Sequence, residues 1–401
     1  MKIWKFWGKM FIMEISIEQS KKAIIWLCIA HLVCDIYTGF LNPIMPFIAS
    51  KLGFSMAIAA VIISISHICS SMLQPVFGFF ADNILHRFFI FWGLILVSTF
   101  IPLAPIAPNI PLLIVFMILG SLGGSFFHPQ GMGFVNTFSK SHCSDNMGTF
   151  ISMGSVGFAL GPLIAALITQ VLGLSMISWT SILGLSLAGT MFLFLPRLSD
   201  IQKKPEHKEF LQSFKEILTN SQMDLLILIA MMKSLVGNSC GILLPFLWKG
   251  MEYTPFYIGS ALFLFVFAGA IGSFLSPKAE KIFGSKPVIY FSMWATFPMM
   301  IGFALTYKLH PILSMIIFSI IGFTTMLAQP VTMVWAQRIL PKYKSVVSGF
   351  INGFCWGLVA LCMSMLGLIA QKFGIVTVVV TVSIIPAICS YFVRYLRELK
   401  N

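Results

Sequence analysis

The sequence predicts an all-α polytopic membrane protein with twelve transmembrane helices in two six-helix halves. Three observations predict this class. Hydrophobic residues make up 58% of the 401-residue chain and charged residues only 10%, with a mean hydropathy of +0.93. Soluble domains carry about 25% charged residues, so this chain lacks the polar surface that a soluble fold needs. The apolar residues form continuous runs, and the pattern of these runs repeats after about 200 residues.

Each apolar run has the roughly 20 residues that a helix needs to cross a bilayer. The runs do not alternate in polarity, which excludes a β-barrel. A polar gap at 198–220 separates an N-terminal half, 22–197, from a C-terminal half, 221–396, and an interfacial segment, 1–21, and a tail, 397–401, flank them. The predicted spans are 22–49, 55–81, 86–107, 110–138, 146–172, 176–197, 221–249, 254–277, 286–307, 310–338, 345–371 and 374–396.

The basic residues give the orientation. Each gap between runs is numbered by the run that it follows. Of the 26 Lys and Arg, 21 fall in the terminal segments and the even-numbered gaps, and one, Lys233, lies inside a run. Basic loops remain in the cytoplasm, so both termini and the middle gap are predicted to be cytoplasmic. The odd-numbered gaps hold only Lys51, Lys249, Lys308 and Lys372.

The halves share landmarks that fix the repeat. Pro46 corresponds to Pro245, and Gly157 corresponds to Gly353 in a GxxxG pattern. Parallel repeats of this kind are typical of secondary transporters, whose substrate site lies between the halves near the midplane.

Asp35 is the one acid that the predicted spans place deep in the membrane. His31 precedes it by four residues, so both lie on one helix face. A carboxylate at that depth is costly without a partner or water, which favours a functional role such as proton coupling. The alternative is a structural hydrogen bond between helices.

Lys233 in the seventh run occupies the position in the repeat nearest to Asp35. We expect it to face the substrate cavity, where it would attract an anionic compound or neutralise Asp35. The alternative is a lysine that snorkels to the interface. Asn42 in the first run is assigned to the same cavity.

Prolines interrupt the fourth and tenth runs at matching places. His128 and Gln130 flank Pro129, and Gln329 precedes Pro330. Because paired interruptions point to substrate sites, His128, Gln130 and Gln329 are predicted to line the cavity. The alternative is a pair of kinks that shape the bundle.

Two further groups complete the predicted functional residues. An acid and a base at the turn after the second run suggest a conformational latch, formed by Gly78, Asp82, Arg87 and, in the other half, Glu280. Glycines spaced by four make flat faces for close helix contact. The predicted packing residues are Gly157, Gly161, Pro162, Gly349, Gly353 and Gly357.

Several partners are not expected. The basic residues are scattered between runs, so we expect no nucleic acid. No phosphate-binding GxxxxGK[ST] loop is present. His31, Asp35 and His128 lack a fourth ligand, so no metal and no cofactor are expected.

The ordered motifs resemble the major facilitator superfamily, and within it the fosmidomycin-resistance family. Besides His31 and Asp35, the resemblance covers residues 23–393 and rests on LQPVFGFFAD (73–82), FFHPQG (126–131), GPLIAAL (161–167), KS (233–234), WAQRILP (335–341) and SGFINGFCWG (348–357). The chain departs from the family pattern at Gln130 and Gly133, where the family has an acid and an arginine, at Lys233, where it has arginine, and at Asn83 and Leu85.

The resemblance implies the major facilitator fold and an exporter of a small organic, drug-like compound, possibly anionic, in exchange for protons. It also implies a monomer in the inner membrane of a bacterium. The alternatives are a proton-coupled importer of an anionic metabolite, a membrane-embedded enzyme and a non-transporting sensor. The enzyme would need a nucleophile or metal motif such as GxSxG or HExxH, and neither is present.

Overall fold

The computed structural model describes residues 17–74, 76–77, 87–139, 143–195, 207–343, 346–347 and 349–397. The described residues form helices and no strands, which confirms the all-α prediction. Eleven helical segments are long and apolar enough to cross a membrane, and Met56–Met72 is a shorter apolar helix. These twelve correspond in order to the twelve predicted runs. The end of the second run, 78–81, lies outside the described residues.

Six helices form the N-terminal half. Helix α2 continues as a π-helical turn, Ile68–Met72, and a 3-10 segment, Leu174–Thr180, leads into α6. The helices are α1 (Ile17–Leu52), α2 (Met56–His67), α3 (Arg87–Leu103), α4 (Ile110–Ser139), α5 (Cys143–Val171) and α6 (Ser181–Phe194).

The C-terminal half follows an additional helix, α7 (His207–Leu218), in the predicted linker. A π-helical segment, Gly349–Phe354, precedes α13, and a 3-10 segment, Ser390–Tyr395, ends α14. The helices are α8 (Ser221–Gly250), α9 (Pro255–Phe283), α10 (Ser285–Thr306), α11 (Pro311–Leu327), α12 (Gln329–Ile339), α13 (Cys355–Phe373) and α14 (Ile375–Cys389).

Proline affects the fourth and tenth spans differently. Helix α4 stays continuous through Pro129, whereas the tenth span breaks at Ala328 into α11 and α12, with Pro330 in the first turn of α12. A proline at the start of a helix costs nothing, because that N–H has no partner within the helix. The predicted pair of interruptions is therefore a break in one half only.

Helix α7 was not expected from the polar composition of the linker. Ile217 is fully buried, and the ring of Phe214 lies 5.4 Å from that of Phe350 in the π-helical segment before α13. Tyr343 donates a hydrogen bond to Glu216 at 3.2 Å. The apolar residues of α7 recur at helical spacing, so this face docks on the C-terminal half.

The outer surface is apolar, as a bilayer requires. Phe274 and Leu193 are 83% and 76% exposed, a degree that water would make unfavourable but lipid does not. Gly284 and Gly374 turn the chain between consecutive helices with φ of 87° and 88°, a conformation that side chains disfavour.

The two halves meet along two helix pairs, α2 with α13 and α5 with α9. A Cβ atom on Gly259 of α9 would meet Ala166 and the carbonyl oxygen of Pro162 on α5, and one on Gly367 of α13 would lie 2.5 Å from Ala60 on α2. Small residues therefore let the halves approach to backbone contact.

At the end predicted to face outwards, polar contacts join the halves. The N–H of Phe256 donates a hydrogen bond to Gln170 Oε1 at 2.9 Å, and Lys249 Nζ lies 5.2 Å from the ring of Phe47. This end of the interface is closed, and cavities lie further inside the bundle.

Candidate functional site

Three titratable side chains from two helices meet inside the N-terminal half. Helix α1 supplies His31 and Asp35, one turn apart, and α4 supplies His128. His31 Nε2 lies 3.3 Å from Asp35 Oδ2, His128 Nε2 lies 3.5 Å from Asp35 Oδ1, and the histidines approach to 3.2 Å. Their side chains are 6–18% exposed. We call these three residues the triad.

Helix α5 fixes the ring of His31. His31 Nδ1 lies 2.7 Å from the carbonyl oxygen of Phe150, and the His31 ring stacks on the Phe150 ring with centroids 4.1 Å apart. A carbonyl oxygen only accepts, so Nδ1 carries the proton and Nε2 of a neutral His31 is a bare acceptor.

Two neutral imidazoles and a carboxylate carry too few protons to satisfy every contact in the triad. One more proton would fit. The bare Nε2 of His31 faces both Asp35 and His128 Nδ1. A single proton on His128 serves either the contact with His31 or the contact with Asp35, and the other contact then joins two acceptors. The contact between His31 Nε2 and Asp35 Oδ2 also joins two acceptors, and one added proton on His31 Nε2 relieves both mismatches when His128 carries its own proton on Nε2. The three side chains therefore offer a position for one added proton.

The same closeness raises the question of a metal. Ligand atoms of His31, Asp35 and His128 all lie within 4.8 Å of one another. Three protein ligands are fewer than the four of a closed structural zinc site. The expectation that the protein holds no metal stays a prediction.

Two cavities adjoin the triad. The larger, of about 450 Å³, lies between the halves, and the smaller, of about 200 Å³, lies among the helices of the N-terminal half. Asp35, His67, Phe158 and Trp356 line both, so they stand where the two cavities meet. A cavity of this size between two halves suits a small organic molecule.

One hydrogen bond between side chains crosses from half to half at this junction. His67 Nδ1 lies 3.1 Å from Asn238 Oδ1, and Asn238 Nδ2 donates to the carbonyl oxygen of Ser234 at 2.9 Å. The amide orientation is set by that second bond, so His67 donates and Asn238 accepts. His67 is the last residue of α2 before the π-helical turn, a type of distortion that is frequent at functional sites.

The structure distributes the predicted cavity residues unevenly. Asn42 and His128 line a cavity each, whereas Gln130 is buried outside both linings and Gln329 lies in the first turn of α12. His128 contacts Asp35 directly, so it belongs with the proposed proton site and not only with substrate recognition.

Lys233 does not line either cavity. It is 4% exposed, and its Nζ has no hydrogen-bond partner among the described residues. It lies one turn before Gly237, which lines the larger cavity. The sequence predicted that Lys233 lies near the level of Asp35, but its side chain is buried and lines neither cavity.

The predicted latch is only partly visible. Gly78 and Asp82 lie outside the described residues, and Arg87 is described only as the first residue of α3. Glu280 accepts a hydrogen bond from Ser285 at 2.6 Å, within its own half. The latch stays a prediction.

The predicted packing glycines lie against neighbouring backbones. A Cβ on Gly161 of α5 would lie 2.5 Å from the carbonyl oxygen of Ile36 and 2.8 Å from Gly39 Cα, both on α1. Gly157 faces Leu32 one turn earlier, and Pro162 lines the larger cavity.

In the other half, the glycines of the eleventh span lie against α2. A Cβ on Gly353 would lie 2.9 Å from the carbonyl oxygen of Ser71, and Gly357 packs against Met72. Gly349 begins the π-helical segment.

Sequence reasoning undervalued His67 and missed Asn238 and Trp356. A lone histidine in an apolar run, such as His67, is usually a packed residue. The available signal for Asn238 was an amide within an apolar run, but its pairing with His67 depends on how the halves dock. Trp356 gave no signal, because one aromatic residue in an aromatic-rich membrane helix is ordinary.

Comparisons with known proteins agree with this architecture. The family model of the Major Facilitator Superfamily matches residues 27–364. The fosmidomycin resistance protein of Escherichia coli (strain K12) is 26% identical over 87% of this chain and 86% of its own length. The uncharacterized MFS-type transporter YfnC of Bacillus subtilis (strain 168) is 24% identical over 91% of this chain and 90% of its own length.

Solved structures share the fold. A mutant of the nucleoside transporter NupG superposes with a TM-score of 0.73 at 13% identity, covering 94% of this chain and all of that one. A bacterial homologue of the human lysosomal transporter Spinster, inward-facing and unoccupied, gives 0.70 at 14% identity over 94% of this chain and 97% of that one. With twelve apolar helices and a cavity between two halves, the chain belongs to the major facilitator superfamily and is a multi-pass secondary transporter.

Proposed function

We propose that this transporter is a proton-coupled efflux antiporter that moves a small organic compound by alternating access. The observation that carries the proposal is the triad beside the larger cavity. An antiporter must bind a proton and its substrate in competition, so its proton carrier must border the substrate site. The triad meets both needs, since it accommodates one extra proton and Asp35 lines both cavities.

Export is favoured over import by two observations. The GxxxGP pattern of α5, from Gly157 to Pro162, resembles a motif that is associated with antiporters in the superfamily. One relative is named for resistance to a drug, fosmidomycin, which is the expected phenotype of an exporter. The second candidate is a proton-coupled importer, which would use the same triad with substrate and proton moving together.

The pH dependence should come from groups around Asp35. Its titratable neighbours are His31 on the same helix, His128 on α4 and His67, which lines the same cavities from α2. The lining residues on α5, α8 and α9 do not titrate. Because a proton and the substrate compete in an antiporter, a fall in pH should weaken substrate binding.

The test uses reconstituted vesicles with an imposed pH gradient. A growth panel in an efflux-deficient bacterium, fosmidomycin included, first supplies a compound to which the gene confers resistance. Asp35→Asn should abolish gradient-driven flux of that compound while counterflow at saturating concentrations of the compound remains, because the amide cannot release a proton. Asp224→Asn is the matched control, since Asp224 is an exposed acid in the first turn of α8. Full gradient-driven export by Asp35→Asn would contradict the mechanism.

Gradient direction separates the two candidates. When protons flow down their gradient, an antiporter accumulates the compound on the side that the protons leave. A symporter accumulates it on the side that the protons enter.

We further propose that both termini lie in the cytoplasm, on the distribution of basic residues. We also propose a monomer in the inner membrane of a bacterium.

A further inference from the structure

The two cavities carry one sign of formal charge. Among the residues that line them, Asp35 is the only Asp, Glu, Lys or Arg. The other charged residue near this level, Lys233, is buried outside the linings. His31, His67 and His128 also line these cavities, so Asp35 leaves a net negative charge there while the histidines are neutral, and in that state the cavities attract positive ligands and repel negative ones.

Aromatic rings stand beside that carboxylate. Phe158 of α5 and Trp356 of α13 line both cavities together with Asp35, so all three border the junction. The faces of Trp and Phe rings attract cations, and the attraction grows when water is excluded. A carboxylate that lines a cavity together with a Trp and a Phe offers two kinds of contact to an organic cation.

The larger cavity offers space for an apolar body. Its wall in the C-terminal half is formed by Leu262, Phe265, Val266 and Met326. These side chains have no charge to satisfy, so they contribute affinity for apolar surface of any shape that fits.

Polar side chains line part of the smaller cavity, and several of their donors are already used. Ser70 donates to the carbonyl oxygen of His67 at 3.2 Å, and one N–H of Gln74 donates to the carbonyl oxygen of Ser70 at 2.8 Å. The hydroxyls of Ser66 and Ser121 bond to each other, so one of them keeps its donor. The oxygens of these groups can accept hydrogen bonds from a positive or hydrogen-donating ligand.

We propose that the substrate is an organic cation with an apolar body. Its positive group lies at the junction beside Asp35, Phe158 and Trp356, and its apolar body fills the larger cavity. The proposal rests on the proposed function, because it takes the central cavity as the transport site. It replaces the expectation of an anionic compound, which depended on a lysine that does not line the cavity.

The test compares two ions of nearly equal size and opposite charge. Binding of tetraphenylphosphonium and of tetraphenylborate to the purified full-length protein in detergent is measured by calorimetry. We expect tetraphenylphosphonium to bind at least tenfold more tightly than tetraphenylborate. Equal or tighter binding of the borate, or binding of neither ion, would overturn the proposal.

Variants locate the charge that is recognised. Asp35→Asn should lose at least tenfold in affinity for tetraphenylphosphonium, Trp356→Leu should lose several-fold, and Asp224→Asn should bind like the wild type. If Asp35→Asn does not elute as a single folded species, the comparison of Trp356→Leu with Trp335→Leu decides, since Trp335 lies in α12 outside both linings. Unchanged affinity in Asp35→Asn, or equal losses in the two tryptophan variants, would refute the site.

Failure of this proposal differs from failure of the proposed function. If vesicles exchange protons for anions but not for tetraphenylphosphonium, the antiport mechanism stands and the substrate class is wrong. If the phosphonium ion binds at Asp35 but no proton flux accompanies its movement, the substrate class stands and the coupling is wrong.

Discussion

Replacing Gly161 with alanine should destabilise the N-terminal half, because the added methyl group forces α5 away from α1. The Cβ of Gly161→Ala would lie 2.5 Å from the carbonyl oxygen of Ile36, and 2.8 Å and 3.1 Å from two backbone atoms of Gly39. Ordinary contacts begin near 3.4 Å, so the helices must separate by about 0.9 Å. Every nearby atom belongs to the backbone, and no side chain can rotate away to relieve the contact.

The expected cost follows from overpacking. Such strain typically costs about 1–3 kcal/mol. Alanine in a helix interior recovers up to about 1 kcal/mol relative to glycine, which would partly mask the effect. Gly148→Ala on the same helix removes this ambiguity, because a Cβ there meets nothing within 4 Å. The difference between the two variants therefore isolates the contact.

The assay is a denaturant titration of both variants in detergent, followed by transport measurements. We expect Gly161→Ala to be less stable than Gly148→Ala by about 1–3 kcal/mol and to lose more transport than expression. Asp35 lies one turn from Gly39, so the same separation should disturb the triad. Equal stability of the two variants would mean that α1 and α5 do not meet at backbone contact, and the packing argument would fail.

Three further predictions test the orientation and the contacts between the halves. In a background without reactive native cysteines, a cysteine replacing Lys215 should react with an impermeant reagent only from the cytoplasmic side, and one replacing Glu252 only from the outside. Labelling of both cysteines from the same side would refute the predicted orientation. In a double-mutant cycle on the free energy of unfolding, His67→Ala and Asn238→Ala should show a coupling of about 0.5–1.5 kcal/mol, which is the contribution of one hydrogen bond. Additive effects of the two substitutions would mean that the bond is not formed. Gln170→Leu should make the larger cavity more accessible to impermeant reagents from outside, because a contact that closes this end is lost; unchanged accessibility would show that helix packing alone closes it.

The fold was predictable from the sequence because the membrane restricts it. Only helices and closed β-barrels satisfy every backbone group in lipid, and barrel strands alternate in polarity, so continuous apolar runs of about 20 residues have one interpretation. The exceptions are local. Helix α7 lies in a polar linker, and its apolar face becomes visible only at helical spacing through Phe214 and Ile217. The π-helical turns at Ile68–Met72 and Gly349–Phe354 leave no signature in composition, because they arise where α2 and α13 pack together.

The sequence predicted only the part of the candidate site that lies on a single helix. His31 and Asp35 share a face of α1, which the spacing of four residues states directly. That His128 touches both depends on how α4 packs against α1, and the same limit hid the partner of His67. Lys233 shows the converse case: the repeat predicted its depth, but the direction of a side chain is set by its neighbours.

The two halves contribute different kinds of residue to the cavities. This difference suits the two tasks of an antiporter, which are to bind a proton and to bind a substrate. All the titratable groups at the cavities, namely Asp35, His31, His67 and His128, belong to the N-terminal half. The C-terminal half contributes mainly apolar side chains, together with the neutral amide of Asn238 and the hydroxyl of Ser273. A proton gained by the N-terminal half therefore changes the charge at the junction without changing the apolar wall opposite. In this arrangement protonation weakens the binding of a cation at Asp35 while its apolar body still fits, and the competition that drives exchange needs only one carboxylate.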